Sequence, residues 1–179
     1  MKYQVVIAGF GGQGVVFLVK VLSIASSLKN EKCLGTENHG MSQRGGSVSC
    51  YVKIGDFSSP AIDEGQADLL IALEGNEALR NIQFLQAQSG IIVVNADKNF
   101  PKLNYKTIKI DAFSKANQNI FNIQALNVYM LGICLARAQN FPFTQDDIEK
   151  AIHVMNEKVA DKNIIVLRQA IKDANEEDI

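Results

Sequence analysis

The chain is poor in cysteine, which limits the chemistry it can hold by itself. Its 179 residues include three cysteines, Cys33, Cys50 and Cys134, which are widely spaced and form no C-x-x-C pair. An odd number of isolated cysteines argues against a disulfide framework, a zinc site or an iron–sulfur cluster held by this chain alone. We therefore expect no metal site, and we expect a reducing, cytoplasmic environment.

The chain also has no excess of charge and no long apolar run. Its formal net charge is −1, which gives no general attraction to nucleic acid or to an anionic membrane. The uncharged apolar run over residues 15–19 is far shorter than the roughly 20 residues needed to span a bilayer. A predicted strand begins within a few residues of Met1, so we expect no signal peptide. These features predict a protein that binds neither nucleic acid nor membrane.

The start of the chain carries the most informative pattern that is present. A short apolar run over residues 5–8 enters a loop with glycines at positions 9, 11, 12 and 14, and a helix-like apolar run over 15–28 follows. This is G-x-G-x-x-G between a strand and a helix, the arrangement of a Rossmann-like unit. The N–H groups at such a helix start carry about +0.5 charge and favour an anion.

Three interpretations of this glycine loop stay open. It could bind NAD or FAD, it could be a turn that packs against the fold or a partner chain, or it could bind an anion of a ligand shared with another subunit. A dinucleotide site needs an acidic residue about 20 positions on, at the end of the second strand. Glu37 lies in that region, but no convincing apolar strand leads to it.

A second glycine-flanked segment spans residues 39–46, with the sequence HGMSQRGG. The guanidinium of Arg44 is a planar fork that suits phosphate or carboxylate, and the flanking glycines permit close approach of another group. The plainer alternative is a surface loop whose Arg44 pairs with a local carboxylate. No serine or cysteine nucleophile stands in a recognisable motif beside His39, so we predict no catalytic residue in this chain.

The remaining pattern predicts alternating strands and helices. Strands are predicted at 4–8, 33–36, 47–54, 68–73, 91–94 and 107–110, with 57–62 as a possible antiparallel partner of the strand 47–54. Helices are predicted at 12–28, at 77–88 and from about 122, with Thr144 and Asp161 capping two more near the C-terminus. Gly55-Asp56-Phe57 departs from the Gly-Asp-Gly of thiamine diphosphate sites, and we interpret it as a hairpin turn. The fold class is α/β: one three-layer α/β/α Rossmann-like domain over residues 1–179, with a mostly parallel, mixed sheet and a helical C-terminal third.

Five blocks of sequence together resemble a known family. They are Gly11-Gly12-Gln13-Gly14-Val15-Val16, the run from Glu37 to Val48 that contains Arg44-Gly45-Gly46, then Ser59-Pro60, residues 67–74 (ADLLIALE) and Val94-Asn95. The chain resembles the gamma subunit of 2-oxoacid:ferredoxin oxidoreductases over most of its length. The pattern Glu37-x-His39-Gly40-Met41-x-Gln43-Arg44 resembles in particular the beta subunit of the indolepyruvate type. The C-terminal third resembles the family more loosely, through its helices, Asn127 and Gly132.

The resemblance implies a role that the residues alone do not reveal. Enzymes of this family decarboxylate a 2-oxoacid on thiamine diphosphate, pass electrons through iron–sulfur clusters to ferredoxin and release an acyl-CoA. The thiamine and the clusters lie in partner chains, so this chain would hold no cofactor alone and would complete the site in the complex. The cofactor-facing residues implied are Gly11, Gly12, Gln13, Gly14, Arg44, Gly45 and Gly46.

Two points stay open at this stage. The sequence does not settle the 2-oxoacid: indolepyruvate and other aryl pyruvates lead, with pyruvate, branched-chain 2-oxoacids and 2-oxoglutarate as alternatives. A stand-alone NAD or FAD domain is the alternative function, and a homodimer of the isolated chain is an alternative assembly.

Overall fold

The computed structural model describes residues 2–39 and 45–176, without the side chains of residues 37–39. Within this part, six strands form one mixed sheet in the order β2-β3-β1-β4-β5-β6. The strands are β1 (Tyr3–Phe10), β2 (Cys33–His39), β3 (Ser47–Ile54), β4 (Leu69–Ala72), β5 (Ile91–Asn95) and β6 (Lys106–Ile110). The helices are α1 (Val15–Leu28), α2 (Gly75–Asn81), α3 (Ala112–Asn117), α4 (Leu126–Arg137), α5 (Gln145–Met155) and α6 (Glu157–Glu176).

The sheet is parallel except at one strand. β1, β4, β5 and β6 pair in parallel, whereas β3 is antiparallel to both β1 and β2. The predicted buried strands β4 and β5 consist of residues that are all buried, as expected for parallel strands covered on both faces. The predicted mixed, mostly parallel sheet is therefore confirmed.

Two layers cover the sheet, and the hydrophobic cores beneath them differ in size. The larger core lies between one sheet face and helices α1 and α3 to α6, with Tyr3, Val5 and Ile7 of β1 pointing into it. The smaller core lies on the opposite face, where Val6 and Ala8 of β1 contact α2, the 3-10 turn Ile82–Phe84 and loop residues up to 105. This is the predicted three-layer arrangement. None of the described helices has the length and hydrophobicity needed to cross a bilayer.

The region around β2 and β3 differs from the prediction. β2 continues to His39 because it pairs with β3 along its whole length, from Cys33↔Ile54 to His39↔Val48, although its apolar pattern ends earlier. The predicted partner of β3 at 57–62 is wrong, since β3 already has a neighbour on each side. Residues 55–66 form no strand, so the predicted hairpin turn at 55–57 is wrong too.

Helix boundaries in the second half also differ in two places. The helix predicted over 77–88 starts at Gly75, ends at Asn81 and continues as a 3-10 turn. The last helix begins at Glu157 rather than after Asp161, and the carboxamide oxygen of Asn156 accepts a hydrogen bond from the Lys158 N–H at 3.2 Å. The predicted cap at Thr144 is confirmed, with a reciprocal pair of hydrogen bonds between Thr144 and Asp147.

Candidate functional site

The two glycine segments meet where the parallel strands end, on the side of the sheet that we call the carboxyl edge. β2 runs in the same direction as β1, since both are antiparallel to β3, so the connection from β2 to β3 lies at the carboxyl end of β1. There the Gly11 N–H donates a hydrogen bond to the Gly46 carbonyl at 2.9 Å. Open α/β sheets place their ligand sites at this edge. We call residues 11–14 together with Gly45 and Gly46 the glycine surface.

Two glycines of this surface leave open space beside the backbone. Gly12 and Gly45 have φ of +96° and +73°, where non-glycine residues are strained, and a Cβ atom at either position would meet nothing within 4 Å. Gly11, Gly12 and Gly45 are exposed. The described part of the surface therefore offers bare backbone to another molecule.

Gln13 holds the glycine loop against the next parallel strand. Its side-chain oxygen accepts a hydrogen bond from the Phe10 N–H at 2.7 Å, and its amide nitrogen donates to a carboxylate oxygen of Glu74 at 2.6 Å. Glu74 follows β4 and precedes α2. Gln13 thus joins the end of β1 to the end of β4, with both ends of its amide used.

Asn127 holds the other end of the loop. Its amide nitrogen donates to the Gly14 carbonyl at 3.2 Å, and its side chain is 5% exposed. Gly14 has φ +82°, and a Cβ atom there would lie 2.3 Å from that same nitrogen. A residue with a Cβ atom at position 14 would therefore force the Asn127 side chain to move.

A buried carboxylate supports the base of the β2–β3 connection. Glu77 of α2 has no exposed surface, accepts a hydrogen bond from the Ser47 hydroxyl and pairs with Arg80, whose guanidinium nitrogen lies at 3.1 Å. A buried carboxylate needs such partners, since removing its charge from water is costly. Arg80 is 66% exposed and places a cation close to this edge.

The start of α1 has the electrostatic character that an anion requires. Its N-cap, Gly14, supplies no side-chain hydrogen bond, and its first turn contains no acidic residue. The positive end of the helix dipole is therefore not neutralised by its own helix. Arg44, the predicted anion-binding residue, lies outside the described residues, as do Gly40 to Gln43, so its position in the site stays a prediction.

The structure corrects one part of the dinucleotide argument and strengthens another. A strand does lead to Glu37, contrary to the prediction, since β2 contains it. However, β3 separates β2 from β1, so the strand that carries Glu37 lies two strand spacings, about 10 Å, from β1. In the dinucleotide fold the strand with the acidic residue is adjacent to the first strand.

Several residues at this edge were not found from the sequence. Glu74 ends the family-like block 67–74, but nothing in the sequence indicates that it is the partner of Gln13. Glu77 and Arg80 carried a weak signal, a carboxylate and a cation three residues apart on a predicted helix. Asn127 was noticed only through the family resemblance, because its contact with Gly14 joins residues 113 positions apart.

Metal-binding clusters are not found in the described part of the chain: no group of three or more His, Cys, Asp or Glu side chains there could hold an ion. Cys50 and Cys134 are buried, and Cys33 is half-buried. Burial raises the pKa of the Cys134 thiol, which keeps it protonated.

Fold and site together define a Rossmann-like α/β protein with a fixed glycine surface at the carboxyl edge of its sheet. Residues 4–172 match the family model described as pyruvate ferredoxin/flavodoxin oxidoreductase. The chain belongs to this family.

Relatives agree with this assignment, and solved structures share the fold. The chain is 31% identical to the indolepyruvate oxidoreductase subunit IorB of Archaeoglobus fulgidus, over 97% of this chain and 96% of the relative. It has the fold of the keto/oxoacid ferredoxin oxidoreductase gamma subunit from Geobacter sulfurreducens, with a TM-score of 0.79, 22% identity and coverage of 98% and 99% of the two chains. It also matches 31% of a chain of the 2-oxoglutarate:ferredoxin oxidoreductase from Magnetococcus marinus, described with 2-oxoglutarate, coenzyme A and succinyl-CoA bound, with a TM-score of 0.77, 13% identity and 98% of this chain covered.

Proposed function

We propose that this chain is the non-thiamine, non-cluster subunit of an indolepyruvate- or pyruvate-type 2-oxoacid:ferredoxin oxidoreductase. The observation that carries the proposal is the hydrogen bond from Gly11 to Gly46, which joins both family glycine motifs into one exposed surface. Supporting it, the chain aligns with the indolepyruvate oxidoreductase subunit over nearly its full length. We propose that residues 1–179 act as one gamma-type domain of that complex, in the cytoplasm.

The glycine surface, in this proposal, faces a larger subunit that holds thiamine diphosphate and the iron–sulfur clusters and passes electrons to ferredoxin. The residues that would face the composite site are Gly11, Gly12, Gln13, Gly14, Arg44, Gly45 and Gly46. Their contribution is to bind and to exclude water, since none of the described residues in this set has a titratable side chain.

Coenzyme A in the assembled enzyme would accept the acyl group left by decarboxylation. The described residues fit part of such a ligand. The uncapped start of α1 and the open space beside Gly12 and Gly45 suit a phosphate group. The negative charge of Glu74 disfavours an anion here, although one of its carboxylate oxygens already accepts a hydrogen bond from the Gln13 amide at 2.6 Å. A cation is therefore needed on the other side, and Arg44 is our candidate.

The test is reconstitution with the partner subunit. The chain and the thiamine-bearing subunit encoded with it should co-purify, and the complex should reduce viologen when given CoA and a 2-oxoacid from a panel, with aryl pyruvates turned over fastest. The chain alone should be inactive. Turnover by the isolated chain, or a complex without CoA-dependent turnover of any 2-oxoacid, would contradict the proposal.

The dinucleotide alternative has its own measurement. By calorimetry the isolated chain should bind NAD(H) and FAD with a dissociation constant well above about 1 μM, which corresponds to less than roughly 8 kcal/mol of binding. Tighter binding would favour a stand-alone nucleotide domain instead.

A further inference from the structure

A second feature of the carboxyl edge lies beside the glycine surface. A cleft of about 490 Å³ opens where β4, β5 and β6 end, between α2, α3 and the loop that follows β5. Glu74, which accepts the hydrogen bond from the Gln13 side chain, also lines this cleft. We call it the carboxyl-edge cleft.

The cleft combines apolar walls with carboxylates. Leu79 and Phe113 line it and are 39% and 37% exposed, so each presents part of an apolar side chain to the cleft. Glu74, Asp97 and Asp111 line it as well, and none of the described lining residues is Lys, Arg or His.

The carboxylates have hydrogen-bond partners that leave their charge in place. Asp97 accepts from the backbone N–H and the side-chain amide of Asn99 at 2.9 and 3.0 Å. Asp111 accepts from the N–H and hydroxyl of Ser114 at 2.9 and 2.7 Å. All of these donors are neutral. The cleft is therefore anionic, which disfavours phosphate or carboxylate ligands.

The shape of the cleft is fixed by the fold. Asn95 is 1% exposed; its amide nitrogen donates to the Leu73 carbonyl at 3.0 Å, and its oxygen accepts from the Ala112 N–H at 2.9 Å. It thereby joins the end of β4 to the start of α3 beneath the cleft. At the wall, a Cβ atom on Gly75 would lie 3.1 Å from the ring of Phe100, so glycine lets that ring pack on the start of α2. A ligand would therefore meet a formed cleft.

We propose that the carboxyl-edge cleft receives a basic segment of the thiamine-bearing partner subunit, in which a Lys or Arg lies next to an aliphatic or aromatic residue. The proposal rests on the proposed function, because it places the partner's contact next to the glycine surface. Leu79 and Phe113 are covered by the apolar residue, and the uncompensated carboxylates face the cation. Complementary charge of this kind speeds association and fixes the register of two surfaces.

Two substitutions in the cleft, made in the full chain, test the proposal. Each is compared with a matched control substitution outside the cleft. Asp97→Lys reverses an exposed charge in the cleft, and Asp63→Lys makes the same change in the exposed segment that precedes β4, at the opposite edge. Leu79→Ser shortens an exposed apolar side chain of the cleft. Ile165→Ser makes a similar change on α6, where the side chain is 66% exposed.

We expect Asp97→Lys to raise the dissociation constant of the complex about tenfold, equivalent to about 1.4 kcal/mol. Leu79→Ser should raise it by a smaller factor, and both controls should stay close to wild type. Asp97→Asn should slow association and make the affinity less dependent on salt. Thermal melting of each isolated variant separates lost binding from lost folding.

Failure of this proposal can be told apart from failure of the proposed function. If the wild-type chain does not assemble with the thiamine-bearing subunit, the proposed function fails and this inference fails with it. If the wild type assembles and Asp97→Lys binds as well as Asp63→Lys, only this inference is overturned. It is also overturned if Asp97→Lys leaves assembly unchanged and lowers the Michaelis constant for CoA, because the cleft would then take an anion.

Discussion

Replacing Gly14 by alanine tests whether the glycine loop is held by the contact with Asn127. Two costs add at this position. An L-residue at φ +82° costs about 1–2 kcal/mol in the left-handed region. The added Cβ atom would lie 2.3 Å from the Asn127 amide nitrogen, so Asn127 must move and its hydrogen bond to the Gly14 carbonyl is lost.

The lost hydrogen bond contributes about 0.5–1.5 kcal/mol net, since the Gly14 carbonyl keeps the hydrogen bond that the Leu18 N–H donates to it at 3.2 Å. We therefore expect Gly14→Ala to lower the free energy of unfolding by about 1.5–3.5 kcal/mol, the sum of the backbone strain and the lost hydrogen bond. Urea denaturation of the isolated chain measures it as a shift of the midpoint at constant slope.

Gly12→Ala is the matched control. Its φ of +96° imposes similar backbone strain, but its Cβ atom would meet nothing within 4 Å. We expect it to cost only the strain, about 1–2 kcal/mol. The entropy that alanine removes from the unfolded chain is common to both variants and cancels in the comparison.

A double substitution isolates the contact itself. In Gly14→Ala with Asn127→Ala the clash is absent, so the pair should cost less than the sum of the single variants by about 1–2 kcal/mol. Equal losses for Gly12→Ala and Gly14→Ala, together with additive behaviour of the pair, would refute the argument that Asn127 fixes the loop.

Substitutions at four further positions extend these tests. Gln13→Ala removes hydrogen bonds at 2.7 and 2.6 Å and should cost about 1–3 kcal/mol of stability in a denaturant titration. An unchanged midpoint would contradict the role of Gln13 in holding the glycine loop. Arg44→Ala should raise the Michaelis constant of the complex for CoA about tenfold or more, from the roughly 1.5–3 kcal/mol of a charged hydrogen bond, with only partial recovery in Arg44→Lys. Unchanged CoA dependence and unchanged assembly would reject Arg44 as a site residue. Thr144→Ala should lose about 1 kcal/mol through the helix cap, whereas Thr144→Ser should lose much less. Hydrogen bonds from Arg168 lower the pKa of Glu149. Their contribution to stability is therefore present above the unfolded-state pKa of about 4.3 and is lost as pH falls through the folded-state value. The stability difference between wild type and Arg168→Gln should vanish in acid, and a constant difference across pH would exclude this linkage.

Local patterns predicted the parts of the fold that depend on neighbouring residues. The apolar run, the glycines and the following helix at residues 3–28 form a strand, loop and helix as expected. The apolar strands β4 and β5 are buried as their composition predicts, and Thr144 caps α5 through a contact three residues away. In each case the signal and the structure lie within one short segment.

The predictions that were wrong concern segments whose structure depends on pairing with distant strands. β2 is polar after Thr36, and only its pairing with β3 makes it a strand as far as His39. The segment 57–62 has a strand-like pattern, but both edges of β3 are already paired. Tertiary pairing overrides local propensity in both places.

The same distinction explains why the glycines of the candidate site could be predicted and their supports could not. Gly11 to Gly14 form a recognisable motif in one segment. Their supports are Glu74, 61 residues after Gln13, and Asn127, 113 residues after Gly14. Each support is a common polar side chain with no local pattern of its own, because its role depends on where β4 ends and where α4 begins. Strands and helices from all parts of the domain therefore set the position of the loop. A change that shifts α4 against the sheet should alter the glycine surface without touching any glycine.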